Sequence, residues 1–235
     1  MPDFKQRSQE KEIMDDLAIA GEELDKSLVE LDGINRWLGG NTVTFRGLKK
    51  ILQNYNREGE VVIADLGCGG GGMLRLIASW AAKKRINVSL HGIDANENVI
   101  AFAIQQSTGF SNTNYTRQDV LAPEISNHSY DIVLATLFLH HFNKEQLIEI
   151  FRKLSSIATY GIVVNDLHRH WMAYYGFKLV STIFSRSKMV KYDGLVSVLR
   201  GFKRKELVEI LKKADIHNYQ LKWRWAFRWE LVIWV

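Results

Sequence analysis

Val61 to Gly72 reads VVIADLGCGGGG, and the fold is decided there. The apolar run is short, rich in β-branched residues and stopped by glycine, so it reads as a parallel strand buried on both faces. Glycines follow at Gly67, Gly69, Gly70, Gly71 and Gly72, and then MLRLIASWAAKK carries Met73, Leu74, Ile77, Ala78 and Ala81 at helical spacing. Strand, glycine turn and helix form a nucleotide-type βα unit. Its ligand belongs in the crevice beyond the strand's carboxyl end, where glycine lets backbone approach without a Cβ between.

Gly67, Gly69 and Gly72 satisfy G-x-G-x-x-G, the fingerprint of dinucleotide enzymes in which a pyrophosphate rests on a helix N-terminus. That match alone keeps an NAD(P)-dependent oxidoreductase as an alternative. Asp65, two residues before the first glycine, turns the motif into D-x-G-x-G. An ionised carboxylate there repels a pyrophosphate and suits a cation. The stretch resembles the first motif of class I S-adenosylmethionine-dependent methyltransferases, whose cofactor carries a sulfonium and an ammonium and no phosphate. The resemblance implies S-adenosyl-L-methionine as cofactor and S-adenosyl-L-homocysteine as product, with Asp65, Gly67, Cys68 and Gly69 among the binding residues.

The next strand, NVSLHGIDA, ends in Asp94 and Ala95. An acid at that strand end can accept both ribose hydroxyls in either family. Asn96 is placed to cap the helix that follows. Thr113 to Gln118 reads as a third strand before Asp119 and Val120, where methyltransferases commonly carry an acid for the adenine amino group and an apolar neighbour for the ring. Three acids thus close three successive strands. YDIVLATLFLHHF is the fourth strand and its exit. Its LHHF resembles the fourth-strand motif of small-molecule methyltransferases and departs from the Asn/Asp-Pro-Pro-Tyr/Phe signature of amino-methylating enzymes. Thr136 joins the expected cofactor residues. The adjacent His140 and His141 have no nearby third and fourth partners in sequence, so no metal is expected.

YGIVVNDL forms a fifth strand leading to HRHWMAYYGFKL. Asn165, Asp166, His168, Arg169 and His170 crowd its end, with Asn165 or Asp166 available to cap the next helix. Trp171, Tyr174, Tyr175 and Phe177 offer an apolar wall for a planar organic substrate. For a phenolic acceptor, whose pKa is near ~10, a base titrating near neutrality assists. His168 and His141 are the candidate bases, with Asp166 orienting imidazole or substrate. His140, Asn165, Arg169, Tyr174 and Tyr175 are the candidate substrate contacts. NDLHRHWMAYYGFKL and YDGLVSVLRGF, with the MDDL and NRWLGG segments, resemble bacterial methyltransferases related to ubiquinone and menaquinone biosynthesis enzymes and to tailoring enzymes of phenolic and polyketide products. The implied reaction is O- or C-methylation of a small aromatic, phenolic, quinol or polyketide-like molecule.

Before the first strand, Leu24, Leu28, Leu31, Ile34 and Leu38 mark one helix face. Gly39 and Gly40 stop that helix, and Asn41 or Thr42 can cap a second one. At the other end NYQLKWRWAFRWELVIWV reads as a hairpin turning near Ala226. The expected architecture is α/β: a Rossmann-like, seven-stranded, mostly parallel sheet with helices on both faces and an antiparallel C-terminal strand hairpin. An N-terminal helical cap covers 1–58, and the methyltransferase domain covers 59–235 with a substrate-side helical insert at 167–202.

A chain of 235 residues, 46% hydrophobic, can bury a sizeable core. Its single cysteine, Cys68, excludes an internal disulfide and fits a reducing cytoplasm. No apolar stretch approaches the about 20 residues of a membrane span, and no signal-peptide core follows the N-terminus. The net charge of +5 has its excess in SRSKMVKYDG and LRGFKRK. With Trp223, Trp225, Trp229 and Trp234 these basic segments are the case for an RNA-binding or RNA-modifying protein. No RNA-binding motif accompanies them, so the tryptophans read as strand packing and no nucleic acid is expected. The expected partner is a small aromatic or lipophilic molecule, and the sequence assigns no oligomeric state.

Overall fold

The computed structural model describes residues 2–53, 55 and 59–235. In chain order come α1 (Glu22–Trp37), α2 (Gly40–Leu52), β1 (Val61–Leu66), α3 (Gly72–Lys84), β2 (Val88–Asp94), α4 (Glu97–Gln106), β3 (Thr113–Arg117), β4 (Tyr130–Thr136), α5 (Lys144–Ile157), β5 (Ala158–Leu167), α6 (Trp171–Phe184), α7 (Lys188–Arg200), α8 (Arg204–Lys213), β6 (Tyr219–Arg224) and β7 (Arg228–Trp234). The cap boundary expected after residue 58 falls where residues 56–58 lie outside the described set. Among the described residues no helix is long and apolar enough to cross a membrane.

The strands form one seven-stranded sheet in the order β3-β2-β1-β4-β5-β7-β6. β1 to β5 run parallel, and β7 enters antiparallel between β5 and β6. The order reverses at β1, so the crevice between the carboxyl ends of β1 and β4 is the ligand position this topology creates.

Strand periodicity divides the core. Ile63, Ile132, Leu134 and Val163 point to one face, where Leu48 and Ile51 of α2 and Leu74 and Ile77 of α3 cover them. Ala64, Leu66, Val133, Ala135, Ile162 and Val164 point to the other, against Leu147, Ile150, Phe151 and Leu154 of α5 and Leu207 and Leu211 of α8. Burial on both faces explains why these strands read as continuous apolar runs. Beyond the sheet edge, Leu24 and Leu28 of α1 pack on Val99 and Phe102 of α4.

Helix starts follow local chemistry. Asn96 caps α4 by accepting from the Asn98 and Val99 amides. Asn143 and Gln146 form a reciprocal capping box on α5. Two expected caps differ. Gly39, left-handed at φ 73°, turns the chain in one residue, so α2 already begins at Gly40 and Asn41 and Thr42 lie in its first turn. Asn165 and Asp166 lie within β5, whose antiparallel neighbour β7 carries pairing on to Leu167, and His170 caps α6 through Nδ1 instead.

Phe151 is fully buried at the centre of the α5 face. Its replacement by alanine is expected to lower unfolding free energy by about 3–5 kcal/mol. Urea denaturation measures this, and the partly buried Ile148→Ala should lose much less.

Candidate active site

The carboxyl ends of the strands open into a cavity of about 930 Å³. The glycine turn shapes its floor. The Gly67 and Cys68 amides both donate to the Ile93 carbonyl, which pins the turn to β2. Gly67 is left-handed at φ 65°, and a Cβ there would lie 2.1 Å from the Phe138 ring. Gly69, at φ 50°, would aim a Cβ at open space, with nothing within 4 Å. The backbone at Gly69 is therefore bare toward the cavity.

Asp65, Asp94 and Asp119 line this cavity together with Ala95, Val120 and Thr136, so the ends of β3, β2, β1 and β4, neighbours in the sheet, all contribute. Asp65 is buried and its Oδ1 has no hydrogen-bond partner among the described residues. Burial, and then the charge of Asp94, pushes its carboxyl well above the usual range. Asp94 is raised as well, chiefly by burial, although it accepts from the Gly69 amide at 3.1 Å and the Asn96 amide at 3.0 Å. Two desolvated acids facing one space call for a cation and for hydroxyl donors. S-adenosylmethionine supplies both: its ammonium and sulfonium suit Asp65 and its ribose suits Asp94. Asp119, exposed at the cavity rim, uses Oδ1 to hold the Leu121 amide. The Cys68 thiol is buried and pushed up by that burial and by both acids, so it is no nucleophile.

A second set of charges lies at the exit of β4. His140 is buried, with Nδ1 2.8 Å from Asp166 Oδ1 and Nε2 3.5 Å from Glu12 Oε1. Burial alone would lower its pKa, but Asp166 and Glu12 outweigh it and raise it to about 9. His140 is thus an imidazolium at neutral pH and cannot act as a base. Next to it, His141 Nδ1 lies 2.6 Å from Asp15 Oδ1, and Arg200 Nη1 reaches Asp15 Oδ2 at 2.5 Å. Burial would raise Asp15, yet its bonds to His141 and Arg200 hold it well below the usual carboxylate range. An ionised Asp15 can only accept, so Nδ1 of His141 carries a hydrogen. Glu12, His140 and His141 bring potential metal-ligating atoms within 4.8 Å of one another. Arg200 Nη1 lies 3.7 Å from the same Glu12 oxygen, so these charges already compensate one another as ion pairs.

Other candidates from the sequence lie outside the cavity lining. His168 packs against Trp229 and accepts from Trp223 Nε1 at 3.2 Å, and burial, with the cations Lys203 and His170, lowers its pKa to about 4. Asn165 is fully buried, donating to the Gly40 carbonyl and Thr44 Oγ1, which anchors α2 to the sheet. Arg169, also fully buried, clamps Glu206 and the carbonyls of Phe4, Lys5 and Gly201. Asp166 acts behind His140. Tyr174 and Tyr175 sit on the far side of α6, whose cavity face is Met172, Ala173, Gly176, Phe177 and Val180. Sequence reasoning passed over Glu12, Asp15 and Arg228, all of which line the cavity. The MDDL resemblance touched Asp15, but a polar N-terminus carries no spacing signal.

Residues 63–161 match the methyltransferase domain family, and that segment spans β1 to the middle of β5. Curated relatives include the phosphoethanolamine N-methyltransferase of Plasmodium falciparum, 25% identical over 49% of this chain and 42% of that protein. The ubiquinone biosynthesis O-methyltransferase of Rickettsia canadensis is 30% identical over 54% of this chain and 51% of its own length. The chain thus spans about half the length of these two relatives. Among solved structures, the plantazolicin methyltransferase with S-adenosylhomocysteine bound superposes with a TM-score of 0.63 at 16% identity, covering 90% of this chain and 95% of that one. Magnesium protoporphyrin IX methyltransferase from Synechocystis with S-adenosylmethionine bound gives 0.57 at 15% identity, covering 94% and 88%. The core of the chain, residues 63–161, matches a methyltransferase domain and shares its fold with these solved structures. S-adenosylmethionine is the cofactor whose charges and hydroxyls the acids of the cavity fit.

Asp94→Asn is expected to weaken S-adenosylhomocysteine binding at least tenfold in calorimetry while leaving the thermal midpoint of the free protein nearly unchanged. The His140 ion pair sets a pH dependence. Its pKa is raised on folding, so its contribution, on the order of 3 kcal/mol, is fully present below about pH 6.5 and is lost as pH rises through about 9. Thermal unfolding from pH 6 to 10 should show that decline, and Asp166→Asn should be less stable at pH 6 and flatter across the range.

Proposed function

We propose that the protein transfers a methyl group from S-adenosylmethionine to oxygen or carbon of a small aromatic, phenolic, quinol or polyketide-like molecule, with His141 as general base. The observation that carries this reading is the Asp15–His141 pair at 2.6 Å on the wall of a cavity that also holds Asp65 and Asp94. The apolar part of the same cavity, from Trp37 and Leu38 after α1 to Met172 and Phe177 of α6, supports a flat, lipophilic acceptor.

The cofactor supplies an electrophilic methyl group on a sulfonium. The protein therefore has to place the acceptor in line, exclude water and take up a proton. His141 Nε2 takes the acceptor hydroxyl proton, and the imidazolium so formed keeps its Nδ1 hydrogen on Asp15, which Arg200 holds ionised. His140, already charged beside Asp166, fixes the loop that presents His141. Residues 1–58 act as a cap that supplies Glu12 and Asp15, and the insert at 167–202 supplies the apolar wall.

Thermal unfolding with matched S-adenosylhomocysteine or NAD(P)H tests the cofactor, since a ligand at about 100 times its dissociation constant adds roughly 2.7 kcal/mol. Stabilisation by the nicotinamides alone would remove the methyltransferase reading, and salt-dependent RNA affinity would favour a nucleic-acid substrate. With a phenolic acceptor, His141→Asn is expected to lower kcat by about 10²–10⁴ with unchanged cofactor affinity, and Asp15→Asn to lower it less. Full turnover in His141→Asn would remove the base assignment.

A further inference from the structure

Arg228 opens β7, three strands along the sheet from Asp65 in the order β1, β4, β5, β7. At about 4.8 Å per strand the sideways separation alone is roughly 14 Å from Asp65 and roughly 19 Å from Asp94, one strand further. Its side chain lines the cavity and is only 3% exposed. Nε and Nη1 nevertheless have no hydrogen-bond partner among the described residues.

The acids nearby are engaged elsewhere. Glu230, on the same face of β7, holds Lys50 and Arg224. Asp166 is taken by His140 and by the Leu167 amide. Gly40 makes room for the guanidinium, for a Cβ there would lie 2.8 Å from Arg228 Cζ. Next to Gly40, Asn41 is buried and lines the cavity, and its Nδ2 also lacks an acceptor. Burial lowers the Arg228 pKa to about 10, which leaves it charged at neutral pH. Buried cationic donors left unpaired destabilise a folded chain, and a guanidinium is a planar set of donors shaped for a carboxylate.

We propose that Arg228, with Asn41 beside it, binds a carboxylate of the methyl acceptor, so that the substrate is an aromatic or lipophilic acid. The proposal rests on the methyltransferase reading for the position of the cofactor. The other carboxylate that could reach this cavity is that of the cofactor's amino-acid tail, and the experiment separates the two.

The probes are 3-hydroxy-2-naphthoate and its methyl ester, titrated calorimetrically into the protein saturated with S-adenosylhomocysteine. The unmodified protein should bind the acid at least tenfold more tightly than the ester. Arg228→Met should abolish that preference, Arg228→Lys should retain part of it, and both should bind S-adenosylhomocysteine within twofold of the unmodified protein. Without ligand, Arg228→Met should unfold at the same temperature or higher, whereas loss of a structural arginine would lower it. An acid that binds no better than its ester, or a preference that survives in Arg228→Met, overturns the proposal. A tenfold loss of S-adenosylhomocysteine affinity in Arg228→Met reassigns the arginine to the cofactor and also overturns it. Failure of the unmodified protein to bind S-adenosylhomocysteine would instead remove the methyltransferase reading beneath it.

Discussion

The ion pair between Asp166 and His140, 2.8 Å long and sealed from water, joins three parts of the molecule that are remote in sequence. Asp166 belongs to β5 and His140 to the turn after β4, and the other side of His140 faces Glu12 from the N-terminal segment. A buried charge without its partner is costly, so each of these parts holds the others in register. The same turn carries His141, and its carbonyls are gripped by Arg7 and Arg200. The geometry at His141 is thus a consequence of an ion pair one residue away. That pair acts through position, and in the proposed reaction proton transfer falls to its neighbour.

The cavity sorts its charges along the sheet. Desolvated acids gather at β1 and β2, the paired histidines follow at the exit of β4, and a lone guanidinium stands at β7. Such a gradient suits a cationic cofactor at one end and an anionic group at the other. Among the described buried groups left without hydrogen-bond partners, Asp65 Oδ1 and Arg228 Nε and Nη1 belong to the charged residues at these two ends. Arg169, by contrast, spends its guanidinium on Glu206 and backbone carbonyls and serves architecture.

Much of this was legible in the sequence because it depends on local spacing. Strands buried on both faces leave continuous apolar runs, the glycine turn follows the first of them, and the acids close successive strands, so β1 to β4 and the residues at their ends could be placed without coordinates. The hairpin at Trp225–Phe227 was equally visible. What depended on long-range packing was not. Asn165, Asp166, His168 and Arg169 stand together in the chain, but β5 continues through Leu167, and alternation along the strand sends them in different directions. Tyr174 and Tyr175 were assigned to the cavity by composition, although helical phase puts Met172, Ala173 and Phe177 there. Glu12 had no signal and Asp15 only the MDDL resemblance, because their partners are supplied by distant elements.

The segment before α1 is fastened largely by polar bonds, among them those by which Asp193 holds the Ile13 and Met14 amides and Ser8 donates to the Leu199 carbonyl. Asp15 meets His141 across 126 residues of chain, and Arg7 meets Arg200 across 193. Loops of that length form late, after the sheet whose contacts are more local. The strap can also come away in a partial opening that leaves the sheet intact. Competence for proton transfer would then be an equilibrium of its own, set by how firmly one end of the chain is fastened and separable from the stability of the fold.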